Sequence, residues 1–238
     1  MFNKFSAFAL AASLIASPVF ASSEHEHGDV AVAQAFLKEI QSTEAAYAGK
    51  QGAKFFQELA KGQHPRATVV TCSDSRVHTN MLDNTPEGDL FMVRNIGNQI
   101  DSTAGSVQYG VNHLASSLLI IIGHSSCGAI KAASDDYSTL EEPIKKELDT
   151  IKITKGGANI DGVKTNVNNQ VATAMALFAD KVQAGHLLIV GGVYDFANDM
   201  KQGSGKLNVI NVNGETDAAK IAAVLSAKPA AAAHHEHH

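Results

Sequence analysis

The chain of 238 residues has no tryptophan, four tyrosines, five prolines and only two cysteines, and aromatic residues make up 6% of it. Two cysteines allow at most one disulfide, which excludes a small scaffold stapled by several bridges. No cluster of lysine and arginine with interleaved aromatics occurs and the net charge is −5, so a nucleic-acid partner is not expected. The acidic balance chiefly promotes solubility. Beyond the first 21 residues no apolar run is long enough to span a bilayer, and no internal repeat is visible.

What is present begins with an export signal. Lys4 stands near the start, an apolar stretch runs from Phe5 to Ile15, and Val19-Phe20-Ala21 forms a small-x-small cleavage site. The apolar stretch is too short for an anchor, so cleavage after Ala21 is predicted, leaving a periplasmic or secreted protein with no membrane attachment. Residues 22–29 form a His-rich segment expected to be disordered, and 229–238 an Ala- and His-rich tail. Glu236 interrupts the second histidine tract as Glu26 interrupts the first, so both read as native tails able to collect zinc loosely.

Between them, 30–228 read as one domain, and 45% hydrophobic residues support a sizeable core. Val30, Ala33, Phe36, Leu37 and Ile40 recur at helical spacing, predicting a helix over 30–47, with a second near 53–61. Apolar runs predict strands at 67–71, 90–94, 117–122, 186–191 and 207–212. Helices are expected near 105–115, 128–134, 140–152, 163–184 and 215–226, and 156–162 is the clearest loop. Strand and helix alternate, which implies an α/β fold with a mostly parallel central β-sheet flanked by helices.

Both cysteines fall just past two of these strands, in Cys72-Ser73-Asp74-Ser75-Arg76 and His124-Ser125-Ser126-Cys127. On count alone, two cysteines in an exported protein would form a disulfide. Their neighbours argue for metal instead: Cys72, Asp74, His124 and Cys127 carry the sulfur, nitrogen and oxygen donors that bind Zn²⁺, and a catalytic site needs about three of them plus an exchangeable fourth position. In an extended chain Cys72, Asp74 and Arg76 would face one pocket, and His124 and Cys127 would share one side of a helical turn. The strand ends are where open α/β sheets build their sites.

At these residues the chain resembles the β-class carbonic anhydrases. The likeness rests on Cys72-Ser-Asp-Ser-Arg76-Val77, Arg94-Asn95-x-x-Asn98, Gln108-Tyr109-Gly110-Val111 with His113-Leu114, Gly123-His124-Ser-x-Cys127-Gly128, and Gly192-x-Tyr194-Asp195. It covers roughly residues 50 to 213, in order. The resemblance implies Cys72, His124 and Cys127 as ligands of one Zn²⁺ per chain, Asp74 and Arg76 as a catalytic pair, and CO₂ and bicarbonate as substrates. It also implies N-terminal helices that pack on a partner subunit, giving a homodimer or a dimer of dimers.

The expected reaction is reversible hydration of carbon dioxide to bicarbonate and a proton by a zinc-bound hydroxide, since zinc lowers the pKa of bound water from 15.7 to about 7. Asp74, where it is not itself a ligand, can orient that nucleophile, and Arg76 can hold Asp74 by a bidentate pair. The same scaffold also suits a carbonyl sulfide or carbon disulfide hydrolase, and a Cys/His site with His-rich tails also suits a non-catalytic zinc-binding protein. Asp74 and Arg76 argue against the last, because a structural site would close all four positions. Some family members are locked by bicarbonate through a tryptophan, an arginine and a tyrosine. Here Val69 stands at the tryptophan position, with Arg94 and Tyr194 as candidate partners, so hyperbolic kinetics are expected.

Overall fold

The computed structural model describes residues 29–227, which leaves the predicted signal segment, most of the first histidine tract and the C-terminal tail outside the described residues. The chain divides into two compact units between Ala45 and Ala46. In the first, the helix that begins at Val30 carries Val30, Val32, Phe36, Leu37 and Ile40 exposed. This helix, α1 (Val30–Leu59), breaks at Gly52, where φ 75° and ψ 166° are non-helical, so the two predicted helices are two segments of one element. The segment in the second unit gathers Tyr47, Phe55 and Phe56 edge to face, and the Tyr47 hydroxyl donates to Glu87 Oε1 at 2.6 Å.

The second unit is built on a five-stranded sheet of order β2-β1-β3-β4-β5. Its strands are β1 (Ala67–Cys72), β2 (Leu90–Asn95), β3 (Leu118–His124), β4 (Leu188–Asp195) and β5 (Lys206–Val212). All neighbours run parallel except β4 and β5. Val69 and Val70 on β1, and Leu119, Ile121 and Ile122 on β3, are wholly buried, which is why these central strands read as continuous apolar runs. Each such side chain contributes about 1.5–3 kcal/mol by leaving water.

The helices are α2 (Ala104–Gln108), α3 (Gly128–Ser134), α4 (Glu142–Leu148), α5 (Asn159–Leu177), α6 (Ala179–Gln183) and α7 (Ala218–Ser226), with one π-helical turn at Tyr109–His113. The predicted loop 156–162 is shorter than expected, because α5 already starts at Asn159 and takes Gly162 into its first turns. Helix α5 lies close on the sheet: a Cβ on Gly123 would sit 2.7 Å from Val167, and one on Gly191 would sit 2.8 Å from both Val167 and Val171. Gly123 therefore serves helix packing, and nothing lies within 4 Å of a Cβ on Gly128.

From β1 the chain steps to β2 on one side and then crosses back to β3 on the other. The order thus reverses between β1 and β3, the place where open α/β sheets form a crevice beyond their strand ends. Cys72 and His124 are the last residues of those two strands.

Candidate metal centre

Cys72 is 4% exposed, His124 0% and Cys127 1%, and their ligand atoms all lie within 4.8 Å of one another. One ion with bonds of about 2.0–2.3 Å to sulfur and nitrogen reaches across such a gap. His124 is oriented for it. Its Nδ1 lies 2.9 Å from the Ser125 carbonyl oxygen, which can only accept, so Nδ1 carries the proton and Nε2 holds a free lone pair. That Nε2 is buried without a hydrogen-bond partner among the described residues, the arrangement expected of an atom that binds a metal.

The route by which His124 and Cys127 come together differs from the helical turn read off their spacing. Ser126 adopts a left-handed φ of 55°, and Cys127 is the extended residue that precedes α3. Asn159, at the start of α5, secures it: Oδ1 accepts from the Cys127 N–H at 3.2 Å and Nδ2 donates to the Cys127 carbonyl at 3.0 Å. Ser125 does not cap α3; its buried Oγ accepts from the Ala197 N–H at 3.1 Å.

The first segment is likewise not extended past Cys72. Asp74 and Arg76 form a tight turn in which Asp74 Oδ1 accepts from the Arg76 N–H at 2.9 Å. The guanidinium then grips both carboxylate oxygens, Nε to Oδ1 at 2.9 Å and Nη2 to Oδ2 at 2.7 Å, and Nη2 also donates to the Ser126 carbonyl at 3.1 Å. Asp74 Oδ2 ends 3.8 Å from His124 Nε2. Arg76 is the main reason that the Asp74 carboxyl is held down at about 2, against the opposing effect of burial. Asp74 in turn raises Arg76.

Of the two sulfurs, Cys72 is the better thiolate. Hydrogen bonding from Cys127 lowers its pKa most, against the opposing effect of burial, and His124 and the Gly97 and Asp74 backbone add to the lowering. Cys127 moves the opposite way, pushed up by Cys72 and by burial.

Three further residues surround this set: Arg94, which the sequence singled out without showing this role, and Asn159 and Phe196, which carried little or no signal there. Arg94 directs Nε to the Cys72 carbonyl at 3.2 Å and Nη2 to those of Asp74 and Val77 at 2.9 and 2.7 Å, so it binds the whole Cys72–Val77 loop. Asn159 stood inside what read as a glycine-rich loop. Phe196 has no polar chemistry to notice, yet its ring stacks on His124 at 5.9 Å and 28° and receives the Arg76 guanidinium at 4.8 Å. His78 is exposed, with Thr79 Oγ1 3.3 Å from its Nδ1.

The profile of the carbonic anhydrase family matches residues 67–203, from the first residue of β1 to beyond β4. Carbonic anhydrase 2 of Mycobacterium tuberculosis is 33% identical over 150 residues, 57% of this chain and 72% of that protein. The carbonic anhydrase of Synechococcus elongatus is 40% identical over 83 residues, 32% of this chain and 30% of that longer protein. Among solved structures, a tetrameric β-carbonic anhydrase of Sordaria macrospora superimposes with a TM-score of 0.63 at 25% identity, covering 75% of this chain and 97% of that one. The β-carbonic anhydrase CafA of Aspergillus fumigatus does so with 0.60 at 25% identity, over 84% and 99%. The chain therefore belongs to the carbonic anhydrase family, in its β class.

Proposed function

We propose that this protein is a zinc enzyme that reversibly hydrates carbon dioxide to bicarbonate and a proton. One observation carries the reading: a buried Cys72, His124, Cys127 donor set with an unpartnered imidazole nitrogen lies directly beside a carboxylate that an arginine holds by two hydrogen bonds. The donors fit zinc, with Cys72, His124 and Cys127 as its ligands and the fourth position left for water. When bound, the metal would lower the pKa of that water to about 7 and so make a nucleophile available at neutral pH.

The chain's own residues supply the rest. Asp74 is the candidate fourth donor and also the candidate hydrogen-bond acceptor for the nucleophile, and it cannot be both at once. Arg76 decides between them: by occupying both carboxylate oxygens it keeps Asp74 off the metal position while leaving acceptor lone pairs turned towards His124. Phe196 excludes water from one side of the imidazole and supports the guanidinium. CO₂ is apolar and needs little more than access to this point; the product carries the charge.

Stopped-flow CO₂ hydration by zinc-loaded protein, with Cys72→Ser as control, tests the reading. Hydration lost in the variant supports it, and wild-type protein that binds zinc but does not accelerate hydration overturns it in favour of a zinc-binding protein.

We further propose export, with cleavage after Ala21, and assembly as a homodimer or dimer of dimers through the N-terminal helix. The exposed Val32, Phe36, Leu37 and Ile40 favour the assembly. N-terminal sequencing of periplasmic material and light scattering check the two points.

A further inference from the structure

Phe196 opens the connection from β4 to β5, residues 196–205, and both of its chain neighbours are pinned by buried polar groups. Asp195 is 0% exposed and turns its carboxylate back onto the connection: Oδ1 accepts from the Asp199 N–H at 3.0 Å and Oδ2 from the Met200 N–H at 2.7 Å. Its carbonyl accepts from the Gly205 N–H at 2.8 Å, which closes the far end. On the other side of Phe196, the Ala197 N–H is held at 3.1 Å by Oγ of Ser125, a residue that is also 0% exposed. Ser125 reaches β4 a second time, its N–H donating to the Tyr194 carbonyl at 3.0 Å.

Such pins are more than a connection at the surface needs. A buried carboxylate carries a large desolvation cost, which the two backbone donors offset here. What lies between the two pins is one ring. Phe196 stacks on His124, stands edge to face with Tyr194 at 5.7 Å between ring centroids, and receives the Arg76 guanidinium over its own face at 4.8 Å. Arg76 has need of such a neighbour. Its side chain is 50% exposed, and an arginine–carboxylate pair in contact with water is weak on its own because water competes for both partners. A ring against the planar guanidinium keeps water from that side and adds an attraction for the charge.

We infer that Ser125 and Asp195 are positioning residues that seat Phe196 against Arg76, and so keep the two-point grip of the guanidinium on Asp74. Neither belongs to the donor set or to the Asp74–Arg76 pair; each acts through the backbone on one side of Phe196. Ser125 fastens the ring to the segment that carries His124 and Cys127, and the ring bears on a residue of the segment that carries Cys72. The seat therefore sets the position of one donor segment's charged pair from the other segment. In its consequence for hydration, the inference rests on the zinc reading of the site.

The test is NMR of the nitrogen-15-labelled, zinc-loaded full-length protein, followed on the Arg76 Nε–H, which donates to Asp74 Oδ1 at 2.9 Å. The ring face moves this proton upfield, and the bond to Asp74 slows its exchange with water. Phe196→Leu deletes the ring and defines the unseated state. Ser125→Ala and Asp195→Asn each loosen one pin. Asn198→Gly removes the acceptor for the Gly203 N–H further along the same connection, at a φ of 62° that glycine adopts freely, and serves as control. In the two pin variants the proton should move towards its place in Phe196→Leu and exchange about fivefold faster, with CO₂ hydration down by a similar factor, while Asn198→Gly changes none of these. An unmoved proton in both pin variants, or an equal movement in Asn198→Gly, overturns the inference. A moved proton at unchanged exchange overturns it as well, because Arg76 then keeps its grip without the ring. Should Asp195→Asn fail to fold, Ser125→Ala against Asn198→Gly decides alone. Wild-type protein that shows the seated, slowly exchanging proton but does not hydrate CO₂ supports the seat and overturns the zinc reading instead.

Discussion

The two segments that carry the candidate metal donors are held in opposite ways. The Cys72–Val77 segment is clasped by charged groups: Arg94 binds three of its carbonyls and Arg76 binds its carboxylate, while Ser73, Ser75 and Arg76 lie exposed. The His124–Cys127 segment is gripped by neutral, mostly buried groups, with Ser125 on Ala197, Asn159 on Cys127 and the His124 ring on its own backbone. A segment fixed by packing and neutral hydrogen bonds holds ligands still. A segment fixed by arginines keeps a carboxylate whose partner can be changed, and under the proposed function that difference would separate holding a metal from gating its fourth position.

The largest effect should come from breaking the first clasp. Arg76→Ala frees Asp74 to take the fourth zinc position, so hydration should fall by about 100-fold or more while zinc content stays at one per chain. Wild-type activity in this variant would reduce the pair to an ordinary surface ion bridge. Arg94→Met comes next: it strands three carbonyls and should cost about 3 kcal/mol in urea unfolding, with activity falling as the loop loosens. On the other segment, Asn159→Ala removes the two hydrogen bonds that secure the Cys127 backbone and should cost about 1–2 kcal/mol, seen as a lower Tm with most activity retained. Equal losses in activity from Arg94→Met and Asn159→Ala would erase the contrast between the two segments.

A smaller effect follows from the depressed Asp74 carboxyl. Its folded value of about 2 lies below the ordinary value near 4, so the ion pair stabilises the fold fully above about pH 4 and that contribution is lost as pH falls through about 2. Carboxyl NMR titration should place Asp74 there in the wild type and nearer 4 in Arg76→Ala. The smallest effect concerns bicarbonate: with Val69 buried in β1 and Arg94 committed to three carbonyls, inhibition should be hyperbolic. A sigmoidal inhibition curve at fixed pH would contradict it.

Much of this was legible in the sequence. β1, β3 and β4 were legible as apolar runs, because strands buried largely on both faces leave little room for polar residues, and the partly exposed β2 and β5 showed in shorter apolar stretches. The candidate donor set was legible because the chain has only two cysteines, and one of them stands three residues after His124. The local geometry was not. Extended alternation and a helical turn each bring side chains together, but the chain uses a tight turn at Asp74 and a left-handed Ser126, choices set by hydrogen bonds that no periodicity records. Phe196 and Asn159 were invisible for a related reason: what they do depends on which distant segment lies opposite them.

The positions of Cys72 and His124 at the ends of neighbouring strands have a consequence for how firmly the candidate donors are moored. The β1/β3 ladder closes at Thr71 opposite Ile122, but Cys72 is still paired with Asn95 on β2 and His124 with Tyr194 on β4. Two of the three candidate donors are therefore tied into the sheet by neighbouring strands, and only Cys127 has to be brought in by a turn. Mutations on the surface of this protein can reshape the turn, but they cannot shift the mooring without unzipping β1 from β2 or β3 from β4.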